Sequence, residues 1–350
     1  MIELTEGNLL TARVDALVNT VNTVGVMGKG IALQFKRAFP TNYRAYEAAC
    51  RAGEVVVGKV FVHDLGGLVQ PQFIINFPTK RHWKGKAKLE FIEAGLRDLV
   101  REIRRLRIRS VALPPLGCGN GGLDWAQVYP TIRKAFEELP NVLVRVYEPK
   151  GAPDPKAMRT ATKRPNMTRG RAAVLMLMRR YIEAGLDFYE ISLLEIQKLA
   201  YFLQESGEPL RLNYRAWKYG PYADNLRHVL DHMEGHFIDG YGDGQNKPET
   251  PIAIRDSAAA EAEAFIRDDR ELHSRLDRIG RLIEGYTTPF GMELLGTAHW
   301  VATRNSRGQS SVEALLEQIR AWSSRKAQMM TPDLVAKALG RLREEHWLSV

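Results

Sequence analysis

The stretch Asp15–Lys36, DALVNTVNTVGVMGKGIALQFK, leaves an apolar run, passes Asn22 and three glycines, and enters a segment with helical spacing of its apolar residues. "ALVNT" reads as a buried strand and "GIALQFKRAF" as an amphipathic helix. Glycines set this close permit a turn that side chains would block and let the backbone approach something bulky. Strand, glycine loop and helix in that order make a unit suited to holding phosphate, since a helix start offers unpaired N–H groups.

The same alternation continues on both sides of this unit. "IELTE", "GKVFVHDL", "QFIINFP", "SVALPPL" and "VLVRVYEP" read as strands, and "TNYRAYEAACRAG", "LEFIEAGLRDLVREIRRL" and "WAQVYPTIRKAFEEL" as helices. This predicts an α/β domain over residues 1–150, a three-layer α/β/α sandwich with helices on both faces of a mixed sheet. Residues 151–166, with three prolines and no apolar period, read as a linker. Residues 167–350 read as a mainly α-helical second domain with one small strand pair around "LNYRAWKYGPY" and a long charged helix near Ser257–Tyr286. Ser192 and Thr331 are predicted N-caps, the latter with Pro332 at the first helical position.

Composition narrows the function classes. The chain has 350 residues, 45% of them apolar, and no window approaches the roughly 18 consecutive apolar residues of a membrane span. The N-terminus lacks a signal-peptide pattern, so a cytoplasmic protein is expected. Cys50 and Cys118 stand far apart and outside metal-ligand spacing, and both read as reduced and structural. Residues 1–165 hold 26 lysines and arginines against 15 aspartates and glutamates, whereas residues 166–350 hold 24 against 26. The basic excess of the first part points to a polyanionic partner; a bland solubility role explains the same excess about equally well.

Three nucleotide-binding readings compete for the first domain. A Walker loop needs a hydroxyl after its lysine, but Lys29 is followed by Gly30. Gly117, Gly119 and Gly122 in "PPLGCGNGGLDW" match G-x-G-x-x-G spacing, yet one strand remains after them and no acidic residue follows about 20 positions on, against the dinucleotide fold. The third reading uses both loops, which face each other across the carboxyl edge of the sheet and cradle a diphosphate with their N–H groups. Tight turns explain either loop alone.

"EGNLL", "DALVNTVNTVGVMGKGIALQFK" and "PPLGCGNGGLDW", taken together and in this order, resemble the macrodomains. The resemblance implies ADP-ribose as ligand. It assigns Asn22 to the distal ribose, Gly28, Lys29, Gly30 and Ile31 to one side of the diphosphate, and Gly117, Cys118, Gly119 and Asn120 to the other. Asp15 is a further candidate, for adenine, with a strand-start aspartate as its plain alternative.

Within the macrodomains, "NFPTK" and the first glycine loop are similar to the terminal ADP-ribose glycohydrolase branch, and to its antitoxin members that act on DNA. That likeness implies a catalytic lysine at Lys80. A lysine shielded from water loses affinity for its proton, so either the neutral amine attacks the ribose C1 or the ammonium assists the departing base. Other members of the branch carry an aspartate close behind the second-loop glycines; here the nearest carboxylate is Asp124, which reads first as the N-cap of the following helix.

The resemblance also implies the substrate, thymidine in single-stranded DNA carrying ADP-ribose on the base, with ADP-ribose as product. Arg81, His82, Trp83 and Lys84, followed by Lys86 and Lys88, agree with it, because cations track phosphates while an aromatic ring stacks on an unpaired base. A solvated basic turn with Trp83 packed inward is the alternative. For the helical domain the resemblance implies a protein partner, a DarT-like toxin that modifies DNA; "LLEIQKLAYFLQESG" with "WKYGPYADNLRHVL" also loosely resembles SocA-like antitoxin domains. No cofactor, metal or membrane is implied.

His228, His232 and His236 share helical spacing, but Gly235 is expected to end the helix before the third, so they read as a polar face. Tyr214, Trp217, Tyr219 and Tyr222 read either as an interface anchor or as core, and Asp239, Asp243 and Glu249 are candidates for mimicking DNA phosphates. Two further functional readings stay open: an ADP-ribose reader without turnover whose helical domain docks a protein, and a hydrolase acting on protein side chains.

Overall fold

The computed structural model describes residues 1–67, 69–185, 190–245, 247–304 and 311–348. The chain divides into two compact units, Met1–Lys163 with Gly242–Gln245, and Arg164–Tyr241 with Asn246–Val350.

The first unit runs β1 (Ile2–Thr5), β2 (Ala16–Asn22), α1 (Gly30–Ala38), α2 (Pro40–Arg51), β3 (Phe61–Asp64), β4 (Phe73–Lys80), α3 (Leu89–Leu106), β5 (Ser110–Leu113), α4 (Trp125–Phe136) and β6 (Leu143–Tyr147). The six strands form one sheet in the order β1-β6-β5-β2-β4-β3. Neighbours are parallel except β3, which lies antiparallel to β4 at the edge. Parallel strands joined through helices are buried on both faces and read as continuous apolar runs, as Ala16, Leu17 and Val18 do at zero exposure. Ile92, Leu96, Leu99 and Ile103 make the apolar stripe of α3 and pack with Val128 and Ile132 of α4 on Val18, Ile75 and Phe77. Phe35 and Ala38 of α1 cover Leu17, Ile74 and Ala112 on the other face.

One buried polar feature escaped the sequence reading. Asn19 of β2 donates to Asn76 of β4 (3.2 Å), and Asn76 exchanges hydrogen bonds with Asn42 of α2 (2.7 and 3.3 Å), all three wholly buried. Amides in apolar strands are costly to bury unless they find each other, so this chain fixes β2, β4 and α2 in register.

The segment expected to be a linker, residues 151–166, belongs to the first unit as far as Lys163. Asn8 Nδ2 donates to the Ala157 carbonyl (3.0 Å) and Ala161 N–H to that of Arg37 (2.8 Å), around a short turn at Pro155–Ala157. Prolines remove donors and set turns, and here the Ala157 carbonyl and the Ala161 N–H found partners on the folded surface.

The second unit contains α5 (Arg169–Glu183), α6 (Leu193–Glu205), a hairpin of β7 (Tyr214–Trp217) and β8 (Gly220–Ala223), α7 (Leu226–Met233), a two-residue pair β9 (Ile238–Asp239) and β10 (Ala253–Ile254), then α8 (Asp256–Phe265), α9 (Arg270–Ile283), α10 (Pro289–Arg304), α11 (Val312–Trp322), α12 (Ser324–Met329) and α13 (Pro332–Glu344). Ser192 is the N-cap residue of α6, its N–H donating to the Glu195 carboxylate (2.7 Å), and Thr331 stands at the N-cap position of α13 before Pro332. The long charged helix is in fact two. Asp269 accepts from Leu272 N–H as an N-cap and binds Arg169, so a new helix starts there instead of continuing. Helix α10 was not anticipated, because Gly291–His299 is buried all round and offers no polar face by which periodicity would show. Among the described residues no helix is long and apolar enough to cross a membrane.

Candidate active site

The carboxyl ends of β2 and β4 set the site. Pairing runs Val21 to Pro78 and then Asn22 to Lys80, so β4 carries one extra residue, Thr79. Pro78 lies beyond the last residue that β3 pairs, and, having no N–H, interrupts the ladder where the bulge occurs. Thr79 Oγ1 donates to the Val21 carbonyl (3.4 Å), and Lys80 emerges opposite Asn22.

Lys80 Nζ donates to two carbonyls, that of Trp83 (3.1 Å) and that of Asn120 (3.0 Å). It therefore bridges the basic turn and the second glycine loop. Partial burial lowers its pKa from the ordinary lysine value, which enriches the neutral amine.

Asn22 is buried and holds the first loop together. Its Oδ1 accepts from Val24 and Val26 N–H (3.0 and 3.3 Å), its Nδ2 donates to the Val26 carbonyl (2.6 Å), and the Tyr46 hydroxyl donates to the Asn22 backbone carbonyl (2.6 Å). Tyr46, wholly buried on α2, is a supporting residue that no sequence signal marked. Gly28 and Lys29 are exposed, Ile31 is half-buried, and Gly30 is buried with φ at +62°, a conformation that favours glycine.

In the second loop Gly117 is buried, Cys118 half-buried, and Gly119 and Asn120 exposed. Burial, with Asp124 nearby, pushes the Cys118 thiol up to about 11, so it is an unreactive neutral thiol at pH 7. Asn120 Nδ2 lies 3.1 Å from where a Cβ on Gly30 would stand, so the two loops face each other across the sheet edge. Asp124 caps α4 by accepting from Ala126 N–H (3.0 Å).

Arg81, His82, Trp83, Lys84, Lys86 and Lys88 are all exposed. Trp83 is 45% exposed, stacks on His82 (5.3 Å between centroids) and lies under Lys84 Nζ (4.9 Å), which excludes inward packing. The turn is fixed at both ends. Thr23 of the first loop donates through N–H and Oγ1 to the Arg81 carbonyl (3.2 and 2.8 Å), and Ala87 N–H donates to Gly121 of the second loop (3.0 Å).

Asp15 is a correction. It precedes β2, at the opposite edge of the sheet from Lys80, and its carboxylate is taken up by Arg109 N–H, Ser110 N–H and Gln70 Nε2 (2.8, 3.0 and 3.0 Å). It ties strand ends together and does not face the loops. The phosphate-mimic reading of Asp239 and Asp243 also falls: Asp239 pairs with Arg255, and Asp243 is 5% exposed and bonded to Gln34. Glu249 is exposed. Helix α7 ends at Met233, before His236, and among the described residues no group of three metal-ligating side chains comes together. Tyr214, Tyr219 and Tyr222 are half-buried while Trp217 is exposed.

A family model, described as Macro domain, matches residues 18–132. The chain is 46% identical over 353 residues to the DNA ADP-ribosyl glycohydrolase of Thermus aquaticus, covering 99% of this chain and 96% of that protein. It is 36% identical over 163 residues to a DNA ADP-ribosyl transferase-DNA ADP-ribosyl glycohydrolase fusion protein of Thermosipho africanus, covering 42% of each. Among solved structures, the macrodomain of Mycobacterium tuberculosis DarG is 59% identical, with a TM-score of 0.42, covering 43% of this chain and 99% of that one. The chain belongs to the family of the DNA ADP-ribosyl glycohydrolases.

Proposed function

We propose that this protein hydrolyses ADP-ribose from thymidine bases of single-stranded DNA through its first unit, and that its second unit binds and inhibits a cognate DarT-like toxin. The observation that carries the first part is the place of Lys80. Its Nζ is held by carbonyls of the basic turn and of the second glycine loop, between a surface suited to DNA and one suited to a diphosphate. The facing loops grip the ADP-ribosyl group, and Trp83 with Arg81, His82 and Lys84 receives the flanking DNA. The neutral Lys80 amine attacks the ribose C1, the bond from C1 to the thymine nitrogen breaks, and the base leaves with the electron pair and takes a proton. Water then replaces the amine, so ADP-ribose and unmodified DNA result. Asn22, Gly28, Lys29, Gly30, Ile31, Gly117, Cys118, Gly119 and Asn120 form the ADP-ribose side of the cleft.

The second part rests on the fusion protein of Thermosipho africanus, whose name joins a DNA ADP-ribosyl transferase to a glycohydrolase. Each activity opposes the other, which suits a toxin and its antidote. One variant tests both parts. Full-length Lys80→Ala is expected to lose turnover of a single-stranded oligonucleotide modified on thymine by at least about a hundredfold, to retain ADP-ribose binding, and still to block the toxin. Turnover near the wild-type rate overturns the role of Lys80; loss of toxin inhibition overturns the division of labour.

A further inference from the structure

A residue remote in sequence from both glycine loops stands where they meet. The first unit includes Gly242–Gln245, and this segment is fastened to α1 by buried polar groups. Gly30 N–H donates to the Asp243 carbonyl (2.9 Å), Gln34 Nε2 donates to Asp243 Oδ2 (3.1 Å), and the Arg37 guanidinium donates to the Gly242 carbonyl. Asp243, Gln34 and Arg37 are each 5–6% exposed. A carboxylate is costly to bury unless hydrogen-bonded, and here the side-chain amide of Gln34 and the N–H groups of Gln245 compensate it.

Asp243 in turn orients Gln245. Its Oδ1 accepts from Gln245 N–H (3.2 Å) and its Oδ2 from Gln245 Nε2 (3.4 Å). The Gln245 Nε2 consequently lies 2.8 Å from the point where a Cβ on Gly30 would stand, and Asn120 Nδ2 lies 3.1 Å from that same point. Two carboxamides thus converge over Gly30. Because the Asp243 carbonyl engages the Gly30 N–H, that amide is not offered to phosphate, and the side-chain amides are the nearby donors at this point.

Given the reading of this cleft as an ADP-ribose site, we propose that Gln245 is a ligand-contacting residue whose carboxamide acts with that of Asn120 on the oxygen-rich diphosphate–ribose portion, and that Asp243 is the positioning residue that aims it. The first unit's site is then completed by a segment that begins 95 residues after β6, from Tyr147 to Gly242. A carboxamide here recognises ligand oxygens, while the negative charge of Asp243 is turned toward Gln34.

The test is calorimetric titration of ADP-ribose into the full-length protein, wild type against Gln245→Ala, Gln245→Glu and Asp243→Asn, with turnover on the modified oligonucleotide and a thermal melt alongside. Gln245→Ala is expected to weaken binding about tenfold and raise KM with kcat within twofold, with an unchanged melt. Gln245→Glu should weaken it further, by setting a carboxylate against the diphosphate, and Asp243→Asn should show part of the same KM effect. Wild-type affinity in both Gln245 variants, or tighter binding in Gln245→Ala, overturns the assignment. Failure of the wild type itself to bind ADP-ribose would instead overturn the functional reading on which it rests.

Discussion

Lys80 stands opposite Asn22 because β4 carries one residue more than β2 at this point. Side chains alternate between faces along a strand, so without the bulge Thr79 would occupy that place and Lys80 would turn to the other face. The missing N–H of Pro78 thus sets where an amine meets the loop organised by Asn22.

The lowered pKa of Lys80 gives a pH signature. A nucleophilic amine acts only when deprotonated, so single-turnover rates should rise with pH and level off below the pH at which an ordinary lysine, with pKa about 10.4, would. Lys80→Arg should abolish the rise along with the activity, since guanidinium does not deprotonate in this range. A rate that falls steadily with pH would make the ammonium, acting as a proton donor, the working form.

The exposed turn separates charge from stacking. Lys84→Ala should weaken binding of modified single-stranded DNA and shallow the slope of log affinity against log salt by about 0.7 for each phosphate left without its cation. Trp83→Ala should weaken binding by about 1–3 kcal/mol with that slope unchanged. Fluorescence-polarisation titrations at several salt concentrations distinguish them, and a salt-insensitive wild type would remove the patch from DNA recognition.

The sheet was legible because its strands are apolar runs between turn signals, and both glycine loops because their residues are unusual for either element. Lys80 became legible through the resemblance that "NFPTK" carries, whereas the bulge that aims it depends on a register no local pattern reveals. Asp15 was misread since the groups that take up its carboxylate, the Arg109 and Ser110 N–H groups, lie 94 and 95 residues along the chain. Tyr46, the Asn19–Asn76–Asn42 chain and Gln245 were hidden for one reason: their partners lie 24 to more than 200 residues away.

Gly95 of α3 is set by its closeness to the strand that bears Lys80. A Cβ there would lie 2.3 Å from the Phe77 ring of β4. Gly95→Ala should therefore destabilise the protein by about 1–3 kcal/mol through overpacking, even though alanine favours helix. Urea denaturation measures it, and an unchanged or raised midpoint would show that α3 shifts without cost.

Lys198 gives the second unit a pH dependence of its own. It is wholly buried on α6, Nζ donates to the Pro221 carbonyl (2.9 Å), and burial, reinforced by nearby Lys326, holds its pKa down at about 7. In the unfolded chain the same lysine titrates near 10.4. Between these values the unfolded state binds the proton more fully than the folded state, so this group's contribution raises stability as pH climbs from about 7 toward 10. The slope approaches 1.4 kcal/mol per pH unit within that window. Lys198→Met keeps the apolar stem and removes the titration, while the absence of its hydrogen bond costs the same at every pH. Stability measured by urea at pH 7, 8 and 9 should accordingly rise less steeply in Lys198→Met than in the wild type, and parallel profiles would assign the buried proton elsewhere.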